Sequence, residues 1–189
     1  IDDVALLDPG KSLLKDYSQM PWSHYKASTG NLMNDSVSIR YRNLYNANTL
    51  VSSSFDAYES GAPIFSGSLN TSPIVPSFSI VTKPSTFLNS YPITGSDSVQ
   101  SFHVKYWIEP GSDTNSFNDT TDFHQQFGTQ YAYDDGSAES AYFVTSAGAS
   151  IAVEYNLAVA NTLRAINIYF PKSYENILDR SYRLMVWES

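Results

Sequence analysis

The alternation of apolar and polar residues predicts an all-β protein: an immunoglobulin-like sandwich over residues 1–110, then a jelly-roll-like sandwich over residues 120–189 that is incomplete as it stands. Three observations carry this reading. Period-two alternation recurs in four segments, turn-forming Pro, Gly and Ser separate them, and no stretch sustains the 3.6-residue repeat of an amphipathic helix.

Taken in order, residues 11–15 offer one helical turn before Pro21. In residues 36–42, Val37, Ile39 and Tyr41 point one way while Ser38, Arg40 and Arg42 point the other, the pattern of a half-buried strand. Turn-rich connections follow at 59–63, 67–76 and 92–97. Phe102, Val104, Tyr106 and Ile108 then alternate with His103, Lys105 and Trp107. The polar, aperiodic stretch 109–121, headed by Pro110 and Gly111, is the expected boundary between the two sandwiches; a single sandwich with a long connection is the other reading. Beyond it, Asp134, Asp135 and Gly136 between aromatic segments form a hairpin signal, since Gly136 takes a positive φ without steric cost. Further strands are expected where Ile151, Val153, Tyr155 and Leu157 alternate with polar residues, at Ile166, Ile168 and Phe170, and over 182–187.

Composition bounds the function. Charged residues make up 16% and aromatics 14%, with 14 Tyr and 10 Phe, so the surface is covered by Ser, Thr and Asn, as in exported β-proteins. The net charge of −8 with 11 scattered basic residues argues against nucleic acid, whose phosphates need clustered Lys and Arg. The absence of cysteine excludes a disulfide framework, a thiol nucleophile and cysteine-ligated zinc. No apolar run approaches the ~20 residues that span a bilayer. The expectation is a soluble segment of a longer polypeptide.

Several motifs invite a chemical reading. Asp134, Asp135 and Glu139 place three carboxylates in six residues, a density that would hold calcium if backbone carbonyls completed the shell, although the spacing of a helix-loop-helix calcium loop is absent. An ordinary acidic turn explains the same residues. Residues 5–12 match a relaxed phosphate-loop pattern, but the buried strand before it and the helix after it are missing. His24, His103 and His124 lie at no metal-site spacing, and His103 reads as a solvated strand position. A nucleophile elbow is also missing. Trp107 and Trp187 alternate away from the aliphatic residues of their strands and are candidates for a sugar platform, or for packing against a neighbouring loop or domain. Asn34, Asn70 and Asn118 open formal N-glycosylation sequons, which carry meaning only in a eukaryotic secretory route.

Tyr131-Ala-Tyr-Asp-Asp-Gly-Ser-Ala-Glu-Ser-Ala-Tyr142, then residues 147–153, then Thr162-Leu-Arg-Ala-Ile-Asn-Ile-Tyr-Phe170, resemble the β-sandwich modules of secreted Bacteroidetes proteins exported by the type IX secretion system. The likeness spans about residues 99–187, with 183–187 resembling the next strand. Residues 20–25 and 41–44 resemble the immunoglobulin-like spacers that precede such modules. The resemblance implies a secreted or outer-membrane surface location and a non-catalytic role in adhesion, surface display or assembly with the secretion or gliding machinery. Partners would be other domains of the same polypeptide or that machinery. It also implies O-glycosylation on Ser36, Ser98 and Thr120, which Asp-Ser and Asp-Thr turns explain equally well. Two rivals stand beside it: a polysaccharide-binding module of a secreted hydrolase, and a segment of an enzyme whose active site lies elsewhere in its chain.

Overall fold

The computed structural model describes residues 3–28, 32–70, 74–86, 90–93, 97–111, 113–134, 144, 146, 148–170 and 181–187. The chain divides into two units, residues 1–137 with 153–160, and residues 138–152 with 161–189.

The first unit is an all-β sandwich. One sheet has three strands in the order β1 (Val4–Leu6), β3 (Ser36–Asn43) and β7 (Ile80–Thr86), paired antiparallel. The other runs β2 (Gln19–Pro21), β9 (Thr120–Gly128), β8 (Gln100–Pro110), β4 (Thr49–Glu59) and β5 (Ala62–Asn70), with β6 (Ile74–Val75) on the start of β4. All pairings in it are antiparallel except β2 with β9. Val37, Ile39 and Tyr41 from one sheet and Val51, Phe55, Val104 and Tyr106 from the other share a single buried core. The predicted alternations in β3 and β8 are therefore present, and each aliphatic face is buried.

The turn expected at 59–63 closes the β4–β5 hairpin. Ser60 and Gly61 have φ of 50° and 83°, the paired left-handed residues of a two-residue turn whose twist matches the strands. Pro84 sits in β7, a strand at the edge of its sheet, where a missing N–H costs least.

Three expectations differ from what forms. Residues 11–15 make no helical turn; Leu14 instead bridges Met33. The helix lies at α1 (Trp22–Ala27), begun by Pro21 in extended geometry, and it drives Trp22 and Tyr25 into the core. The stretch 109–121, expected as a boundary, lies within the first unit, where it carries a 3-10 turn (Ser116–Asn118) between β8 and its neighbour β9. Asn115 caps that turn by accepting from the Phe117 N–H.

In the second unit, the described residues 148–152, 161–170 and 181–187 form neither helix nor strand, and Leu163, Ile166, Ile168 and Phe170 are exposed. Residues 153–157 of the first unit likewise form no strand. Period-two alternation gives a segment two faces, but a strand also needs a hydrogen-bonded neighbour, and none pairs with these segments among the described residues.

Candidate functional site

The face of β4, β8 and β9 turned away from the core is an ordered array. Because successive side chains alternate across a sheet, burying Phe102, Val104, Tyr106 and Ile108 turns His103, Lys105 and Trp107 outward. The register then sets three cross-strand rows: Tyr58, His103 and His124; Asp56, Lys105 and Asp122; Ser54, Trp107 and Thr120. The first is a row of rings, Tyr58 to His103 at 5.8 Å and His103 to His124 at 4.9 Å, the latter pair within 17° of parallel. In the second, Lys105 lies between two carboxylates, a favourable cross-strand order.

Hydrogen bonds hold the array in place. His103 Nε2 lies 2.7 Å from Asp122 Oδ1, an exposed pair whose worth is in orientation rather than stability. The Tyr58 hydroxyl donates to Asp56 Oδ2 at 2.9 Å, and that bond raises the phenol pKa. Trp107 Nε1 donates to Glu109 Oε1 at 3.2 Å. The two rings His103 and Trp107, four residues apart on β8, stand about 13 Å apart along the strand. Such a face presents flat rings, two imidazoles and alternating charge to a ligand; its β9 residues are exposed and those of β4 and β8 half-buried.

A second cluster lies where β1 meets the β8–β9 connection. Asp3 and Asp119 are buried, and Asn118 Nδ2 donates to both Asp3 carboxylate oxygens at 3.3 and 3.1 Å. Burial first, then the charges of Asp113 and Asp3 and a hydrogen bond with Asp113, push the Asp119 carboxyl up to about 6. A carboxyl raised in the folded state contributes stability that is complete below its unfolded pKa and is lost as pH rises through the folded value. Stability is thus expected to fall between about pH 4 and pH 6. Asp119→Asn, which keeps the shape and removes the charge, is expected to stabilise the protein at pH 7 by about 1–2 kcal/mol and to flatten that slope in urea titrations. An unchanged slope in the variant would refute the assignment.

His24, on α1, is buried with Nδ1 2.7 Å from the Tyr131 hydroxyl, which also accepts from the Ala158 N–H at 3.1 Å. Tyr131 meets the His24 ring and belongs to a cluster in which Tyr17 packs on Tyr131, Tyr133 and Tyr155, and burial holds the Tyr17 phenol well above its ordinary pKa.

Of the residues predicted to hold calcium, Asp134 is exposed and its carbonyl accepts a hydrogen bond from Ser18; Asp135 and Glu139 lie outside the described residues. Among the described residues, no group of three or more His, Asp or Glu side chains is arranged to hold a metal ion. Trp107 lies on the array, while Trp187 is exposed in the second unit. The phosphate-loop look-alike at 5–12 has a packing role instead. A Cβ on Gly10 would fall 2.2 Å from the Asp122 carbonyl oxygen, so the backbone approaches β9 as only glycine allows. Sequence reasoning set His124 aside on spacing and missed Tyr58 and Asp122, because a row across strands has no fixed spacing along the chain.

No described helix is long and apolar enough to cross a membrane. No family model, curated protein or solved structure matches the chain. What fold and site define is a class only: an all-β sandwich with an ordered aromatic and charged array on an open sheet face.

Proposed function

We propose that the chain is a non-catalytic binding module of an exported bacterial surface protein, acting in adhesion, surface display or assembly with type IX secretion and gliding machinery. The observation that supports a binding role most strongly is the outward array on β4, β8 and β9, where rings and alternating charges stand in register on a rigid sheet. The uncharged polar surface and the 131–142 motif support the surface location. Antibodies against the chain should label intact cells of its source. Labelling only after permeabilisation would overturn the surface reading.

A carbohydrate ligand is the second reading, favoured by Trp107 on the open face. Flat rings bury sugar C–H faces while neighbouring polar groups hydrogen-bond the hydroxyls. In affinity electrophoresis against a panel of bacterial and plant polysaccharides, at least one polymer should retard the chain. Trp107→Ala should weaken that retardation at least about tenfold, equivalent to ~1.4 kcal/mol. Retardation unaltered by Trp107→Ala would remove the array from sugar binding.

A further inference from the structure

We infer that His103 and His124 form a surface site for a first-row divalent transition ion of the zinc, nickel or copper kind. The two imidazoles stand directly opposite each other on β8 and β9, 4.9 Å between centroids and nearly parallel. Opposed residues on paired strands have Cβ atoms only about 4.5–5.5 Å apart, so both rings reach one point without backbone movement. Two Zn–N bonds of about 2.0–2.1 Å at a tetrahedral angle need the nitrogens roughly 3.4 Å apart. In the stack the in-plane nitrogen lone pairs run side by side, so ion binding would turn the rings about their side-chain torsions until the two nitrogens converge.

The surroundings favour a metal over a mere ring stack. His103 Nε2 is engaged by Asp122 Oδ1 at 2.7 Å, which leaves Nδ1 as the lone-pair donor. A carboxylate bound to the far nitrogen is the arrangement that fixes the tautomer of a metal-binding imidazole. Tyr58 packs on the same ring at 5.8 Å. Asp122 thus acts as a positioning residue rather than a ligand, and two coordination positions remain for water. Imidazole nitrogen selects zinc, nickel or copper over the hard, oxygen-seeking calcium. Lys105 opposes the ion's charge, and Asp56 and Asp122 beside it offset that opposition.

The test is a calorimetric titration of the whole chain with ZnCl2 at pH 7.5 in a non-coordinating buffer. One equivalent of Zn2+ should bind with a Kd below about 100 μM. His103→Ala and His124→Ala should each weaken binding at least tenfold, and Asp122→Asn by about 10-fold, the lower end of the effect of removing such a partner. Substoichiometric Ni2+ should selectively broaden the His103 and His124 imidazole proton resonances of the unaltered chain while sparing those of buried His24, a readout that needs no variant to fold. Absence of saturable Zn2+ binding, binding undiminished in both histidine variants, or equal broadening of all three histidines would overturn the site.

Discussion

Replacing Trp22 with Ala is expected to lower the unfolding free energy by about 3–5 kcal/mol, a large part of the ~5–15 kcal/mol that holds a typical domain folded. Trp22 is fully buried at the start of α1. Its ring stacks on Tyr25 at 5.3 Å and meets Phe127 at 5.0 Å and Phe102 at 6.1 Å. Through these contacts it joins the helix to β8 and β9. Truncation would leave a void lined by rigid rings, which collapse around a gap less readily than aliphatic chains. At about 2–4 °C per kcal/mol for a chain of this size, the melting temperature should drop by roughly 6–20 °C. The indole Nε1 has no hydrogen-bond partner among the described residues, so Trp22→Phe should lose much less. A change below about 2 °C for Trp22→Ala would show that α1 is not part of the core.

The second large effect is expected at Asn43, a fully buried polar residue at the end of β3. Its Nδ2 donates to the carbonyls of Ala47, Val75 and Pro76 at 3.1, 3.1 and 3.0 Å, and its Oδ1 accepts from the Tyr45 N–H at 2.8 Å. One side chain thus satisfies backbone groups of the β3–β4 connection, of the end of β6 and of the residue after it. Asn43→Ala leaves several of them buried and unpaired, at about 1–3 kcal/mol for each group that water cannot reach. A total loss of about 3–4 kcal/mol follows, measured by urea unfolding. Asn43→Asp is the sharper probe. It keeps the shape but turns an ionised carboxylate toward three carbonyl oxygens, so it should be the less stable variant at pH 7 and regain stability as pH falls and the acid protonates. Equal stability of the Asn and Asp forms at pH 7 would show that the site is wet.

The legible parts of the fold are those whose buried faces are aliphatic. β3 and β8 stood out because Val, Ile, Tyr and Phe alternate with polar residues along them. β4 and β9 did not, since their inward positions include Ser53, Ala57 and Gln125. Gln125 is fully buried because Oε1 accepts from Ser12 Oγ at 2.6 Å and Nε2 donates to the Ser18 carbonyl at 2.7 Å. Those long-range partners cannot be read from local pattern. The converse failure lies at Ile151 to Leu157 and at Ile166 to Phe170, where good alternation meets no neighbouring strand among the described residues. At the candidate site, the outward turn of His103 and Trp107 followed from alternation alone. Their companions depended on register, which brings Asp122, 19 residues away, beside His103.

The parallel pairing of β2 with β9 sets a timetable for synthesis. Gln125 and Ser18 lie 107 residues apart, and Gly10 packs on the backbone of β9. At about 5–20 residues per second, β2 and the helix after it wait roughly 5–20 s for β9 to be made. Meanwhile Trp22 and Tyr25 lack Phe127, the β9 ring that both meet in the folded protein. A segment made well ahead of its partner strand is thus among the last to find its place, and for that interval it is a client for whatever chaperone shields apolar peptides at the ribosome.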